Sequence, residues 1–110
     1  MHKYFKEETI MAWKKVHVRT IPNSDTPFEF MSDEVINYIK TNYDDTGKRT
    51  SFSTSSSEDG LVVTYTAVFS SEDTKNEFIS DSTISTEIAR RNKINEDRGI
   101  TLEVTVDEEV

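Results

Sequence analysis

From Leu61 to Phe69 the sequence alternates without a break, and no other stretch restricts the fold as tightly. Leu61, Val63, Tyr65, Ala67 and Phe69 fall on one side of an extended chain, and Val62, Thr64, Thr66 and Val68 on the other. Side chains of a strand point to opposite faces in turn, so this run predicts a central strand with a bulky face and a β-branched face. Asp59-Gly60 immediately before it is a hairpin signal, because glycine supplies the positive φ that such turns need. The strand pairing across that turn is Arg49 to Ser57, rich in Ser and Thr around Phe52, which reads as a solvent-tolerant edge strand.

Two further strands follow from the same period. Trp13 to Ile21 alternates, with Val16, Val18 and Thr20 opposite Lys15, His17 and Arg19. Near the other end, Ile100, Leu102, Val104 and Val106 alternate with Thr101, Glu103 and Thr105. Between strands the period changes to that of a helix. Ser32 is a suitable N-cap, Asp33 and Glu34 suit the positive end of a helix dipole, and Val35, Ile36, Ile39 and Tyr43 recur at helical spacing. The second helical region starts at Ser70 or Ser71, carries Phe78 and Ile79, is broken at Asp81-Ser82, and resumes through Ile84, Ile88 and Ala89 to a glycine stop at Gly99.

The element order is therefore β-α-β-β-α-β. It predicts an α+β, ferredoxin-like domain, a four-stranded antiparallel sheet with two helices on one face. Residues 12–110 form that single domain, and residues 1–11, mixed and non-periodic, are expected to be an N-terminal arm, disordered or a start-site extension. The apolar strand sets are expected to face the helices. Trp13, Lys15, His17 and Arg19 would then share the far face with Thr64, Thr66, Thr101, Glu103 and Thr105, with Glu103 able to pair across to the basic residues of the first strand.

The chain resembles dimeric α+β barrel proteins of the antibiotic-biosynthesis-monooxygenase type, and small uncharacterised bacteriophage proteins of the same topology. The likeness covers roughly residues 12–106 and lies in the Ser-Glu-Asp helix start, the long broken helix and the closing strand. It implies two sheets packed face to face in a homodimer. Some members of that family oxidise aromatic substrates or degrade haem in the cleft between sheet and helices. The haem-degrading branch uses an Asn, a Trp and a helix-borne His, whereas here Trp13 and His17 lie on the predicted first strand and neither predicted helix has a histidine. Haem chemistry is not carried over, and no cofactor is expected.

Charge and composition narrow the function classes. Thirteen basic against twenty-one acidic residues give a net charge of −8, which opposes binding to nucleic acid and anionic membranes. Cysteine is absent, so thiolate catalysis and Cys-ligated metals are excluded and a reducing cytoplasm is the simplest location. One histidine within the fold and no calcium-loop spacing leave no metal site to expect. Ser51 to Ser57 lacks the G-x-S-x-G setting of an attacking serine, and Arg90-Arg91 is explained by the helix dipole.

No catalytic constellation emerges, and the question of enzymatic activity stays open at this point. The first expectation is a homodimeric interaction or structural protein. The second is a cofactor-free oxygenase or small-molecule binder using the sheet–helix cleft. Trp13, Lys15, His17, Arg19, Tyr65 and Glu103 are the candidate ligand or interface residues.

Overall fold

The computed structural model describes residues 11–110, so the expected N-terminal arm lies outside the described residues except for Met11. The strands are β1 (Trp13–Thr20), β2 (Arg49–Ser56), β3 (Val62–Phe69) and β4 (Thr101–Glu109). They form one sheet in the order β2-β3-β1-β4, each neighbouring pair antiparallel. Strands joined by a helical crossover are thus never neighbours: β3 lies between β1 and β2, and β1 between β3 and β4. β3 and β1 are central, and β2 is an edge strand.

The helices are α1 (Asp33–Ile39), which continues as a π-turn over Lys40–Asp44, α2 (Glu72–Ser80) and α3 (Ser82–Asp97). The expected broken helix is two separate helices, making three among the described residues. Ser32 caps α1 by accepting the Val35 N–H, and Ser71 and Thr74 form a reciprocal capping box on α2. The cap of α3 is Asp81. One of its oxygens accepts the Thr83 N–H while the other accepts the hydroxyls of Tyr38 and Tyr43 at 2.7 and 2.8 Å. Burial opposes ionisation of Asp81, but these hydroxyl and amide donors hold its carboxyl below the usual range. At the other end of α3, Gly99 adopts φ +80°, and the bonds Gly99 N–H to Glu96 O and Ile100 N–H to Asn95 O close a Schellman motif.

Val35, Ile39, Tyr43, Phe78 and Ile84 from the helical elements pack on Phe69, with Trp13, Ala67 and Ile88 around them. Ile36 and Ile79, apolar positions in the sequence pattern, remain 47% and 42% exposed, because each helix buries only one stripe. The helices therefore lie on the sheet face that carries Phe69, Ala67 and Trp13.

That fact corrects the expected orientation of β1. Trp13 pairs with Phe69, Lys15 with Ala67, His17 with Tyr65 and Arg19 with Val63, and directly paired residues point to the same side of a sheet. The basic stripe of β1 lies beneath the helices, and Val16, Val18 and Thr20 lie on the uncovered face beside Thr66, Thr64 and Val62. Register with β3 decides the matter, since the largest side chains, Trp13 and Phe69, must go together into the core. Glu103 pairs with Val18 on the uncovered face, so it does not reach Lys15, His17 or Arg19. A bulge between Val16 and His17 shifts β4 by one residue and brings Val104 opposite His17.

Candidate functional site

The loop between β1 and α1 builds one wall of the candidate site, and polar side chains of α3 hold it there. Asn95, with no exposed surface, accepts the Glu29 N–H at 2.9 Å and donates to the Glu29 carbonyl at 3.1 Å. Glu87, also buried, accepts the Ser32 N–H at 2.7 Å and is gripped through both oxygens by Arg90, which also bonds Glu29. The Arg90 guanidinium, aided by the Ser32 amide and working against burial, holds the Glu87 carboxyl down to about 2. Arg98 donates to the Pro27 carbonyl at 2.9 Å. These bonds fix Phe28 in position.

Phe28 then meets two cations. The guanidiniums of Arg19 and Arg91 stand 5.9 and 5.7 Å from its ring centre, and Arg91 is also 5.3 Å from the ring centre of Tyr65. Aromatic faces attract guanidinium planes, and the long stems of Arg can line an apolar layer. Arg19 is only 4% exposed, and its Nη2 donates to Asn92 Oδ1 at 2.6 Å. Its Nε, the Nε of Arg91 and the Nε2 of His17 are buried without a hydrogen-bond partner. Three unpartnered buried nitrogens on neighbouring side chains are unusual, because a buried donor without an acceptor costs about 1–3 kcal/mol.

The electrostatics are one-sided. Arg49, Arg90 and Arg98 each pair with a carboxylate within 4 Å, whereas among the described residues Arg19 and Arg91 pair with none. Burial, followed by the charges of Lys15, Arg19 and Arg91, holds His17 down to about 4, with Asp107 alone pulling the other way. Burial and then Arg91 push Arg19 down to about 10. Asp107 itself accepts the Trp13 indole N–H at 2.6 Å. Beside Arg19, a groove of about 670 Å³ runs between α3 and β4, lined by Asn92, Lys93, Glu96 and Leu102.

The structure thus gathers Trp13, Lys15, His17, Arg19 and Tyr65 on one covered face, and leaves Glu103 on the other. Arg91, Asn92 and Phe28 belong to the same place without having been singled out as site residues. Arg91 does not serve as a helix-end counter-charge; it reaches across to Phe28 and Tyr65. Among the described residues no group of three metal-ligating side chains is present, and no helix is long and apolar enough to cross a membrane.

Among the described residues the chain is an α+β protein in which three helices lie on one face of a four-stranded antiparallel sheet, over the basic side chains of β1. No protein-family model, curated protein or solved structure matches it.

Proposed function

We propose that this chain is a small homodimeric interaction protein of ferredoxin-like topology that pairs through its uncovered sheet face. The single observation behind this reading is the composition of that face. On the two central strands it presents Val16, Val18, Thr20, Val62, Thr64, Thr66 and Val68, with Lys14 the one charge among them. Ser51, Ser53 and Ser55 flank it on β2, and Glu103, Val106 and Glu108 on β4. In a chain with twenty-one acidic residues, carboxylates are confined to the outer strand of this face.

Size supports the same reading. Four strands about 4.8 Å apart and roughly eight residues long project to about 500 Å², and the relief of side chains adds to that. Specific interfaces remove about 800 Å² per partner, so a second sheet laid on this one would be near the required size. The split order, with β1 and β3 inside and each crossover spanning one strand, supports the ferredoxin-like assignment. The resemblance to dimeric α+β barrels, the bacteriophage proteins included, and the cytoplasmic location rest on the sequence pattern and the absence of cysteine.

Sedimentation velocity tests the pairing. The wild-type chain is expected to approach twice the monomer mass as its concentration rises toward the millimolar range. Val18→Asp, which puts an unpartnered carboxylate in the middle of the face from each copy, is expected to weaken association at least about 100-fold while leaving the circular dichroism spectrum unchanged. A wild-type chain that stays monomeric at about 1 mM would refute the proposal.

A second reading is favoured by a separate observation, the pairing of His17 with Tyr65 on the helix-covered face that also carries Trp13. There a small molecule would sit in the sheet–helix cleft, as a binder or as the substrate of a cofactor-free oxygenase.

A further inference from the structure

The side-chain cluster between α3 and β1 has the wrong charge for the molecule that contains it. The chain carries −8 overall, yet its least exposed arginine, Arg19, sits beside Arg91, and Arg19, Arg91 and Lys15 all act on His17 against a single carboxylate, Asp107. Desolvated like charges repel strongly, and natural cores keep such arrangements where something compensates them. Asn92 satisfies one Arg19 nitrogen, Phe28 and Tyr65 provide ring faces, and three buried nitrogens are left without partners.

We propose that His17, Arg19 and Arg91 form a binding site for the oxyanion group of a small molecule, a carboxylate or a phosphate; of the three, Arg19 lines the groove between α3 and β4, whose wall also carries Lys93 and Glu96. The inference extends the cleft reading and is independent of the uncovered face. An oxyanion offers several lone pairs at short spacing, which suits guanidinium donors and an imidazole N–H better than water does. Two guanidiniums on opposite elements, β1 and α3, can approach it from two sides. Phe28 and Tyr65 keep these cations from folding away into solvent.

Binding should be linked to protons. The groups facing His17 are Lys15 and Arg19 on its own strand, Tyr65 on β3, Asp107 on β4 and Arg91 on α3. An anion placed among them favours the imidazolium, so the bound site takes up a proton as pH falls. If the bound ring regains its ordinary pKa, affinity rises roughly tenfold between pH 7.5 and pH 5.5.

The test is a titration of the full chain with inorganic phosphate and, separately, with benzoate, at matched ionic strength, followed by amide and side-chain NMR shifts. Saturable shifts at His17, Tyr65 and the Arg91 Nε–H are expected with at least one anion. Phosphate alone would identify a phosphate site, benzoate alone a carboxylate site, and both a general oxyanion site. Arg91→Gln is expected to weaken binding about 10- to 100-fold with an unchanged circular dichroism spectrum, and Arg91→Lys by less. Benzoate stays charged between pH 5.5 and 7.5, and its affinity is expected to rise toward the acid end. Absence of saturation with both anions, or equal affinity in Arg91→Gln, would overturn the proposal. Self-association measured on the same samples separates this outcome from failure of the dimer face.

Discussion

Replacing Asn95 by leucine is expected to lower the free energy of unfolding by about 3 kcal/mol. The substitution keeps the branched shape and heavy-atom count of a fully buried side chain and adds volume, so no cavity forms. It removes the acceptor of the Glu29 N–H and the donor to the Glu29 carbonyl, leaving two backbone groups without partners. Each such loss costs about 1–3 kcal/mol. The effect should also spread to the cleft, because the same bonds hold the loop that presents Phe28 to Arg19 and Arg91. Urea denaturation measures the first effect, with Lys93→Leu on the exposed side of α3 as a control expected to change by less than about 0.5 kcal/mol. A loss below about 1 kcal/mol for Asn95→Leu would show that the loop is held by other means.

Acid is expected to destabilise the fold in two steps. His17 has a folded pKa of about 4 against an ordinary 6.5, burial being the main cause. Below pH 6.5 the unfolded chain therefore binds a proton that the folded chain refuses, and stability falls as the pH drops from 6.5 to 4. The full shift of 6.5 − 4 = 2.5 units would correspond to about 3.4 kcal/mol. The ring keeps some solvent contact, so about 2 kcal/mol is the expected size. Glu87 acts lower down. Its carboxyl, held to about 2 by Arg90, is protonated more readily in the unfolded chain, whose value is near 4.5, so its contribution is present above pH 4.5 and lost as the pH falls through about 2. Partial exposure of Arg90 limits that contribution to about 1 kcal/mol. Urea melts at pH 7, 5 and 4 check the first step, and His17→Gln should flatten it. An unchanged midpoint from pH 7 to 4 would mean that His17 is open to solvent.

Much of the architecture can be read from local pattern. The unbroken alternation of Leu61 to Phe69, the Asp59-Gly60 turn, the Ser32 cap and the Gly99 stop each depend on neighbours within a few residues, and each has its expected structural role. The break at Asp81 is equally local, though its consequence, two helices and a cap that also binds two tyrosines, depends on contacts with α1 and the π-turn. The orientation of β1 is a different matter. Its two residue sets are a valine pair and a basic stripe, and hydrophobicity alone sends the valines inward. Only the pairing of Trp13 with Phe69, a contact between distant segments, shows that the basic set goes under the helices.

The candidate site was half legible for the same reason. Trp13, Lys15, His17, Arg19 and Tyr65 stand out in the sequence and share one sheet face, Trp13 packing at the Phe69 end and Arg19 at the other. Arg91 and Asn95 look like residues of a solvated helix, since nothing within a few positions reveals that α3 turns them toward β1 and the loop. Asn95 sits one helical turn beyond Arg91 and Asn92, a polar stripe whose significance appears only once Arg19 is known to face it.

The basic side of β1 lies beneath α3, and its valine side is uncovered by the helices. A carbon-edited NOE spectrum of the uniformly labelled chain tests it directly. Contacts are expected from the His17 ring protons to Tyr65 and Arg91, and none from the Val18 methyls to Ile84 or Ile88. Val18 contacts to those α3 residues, with His17 showing none to Arg91, would put the valine side of β1 beneath α3 instead.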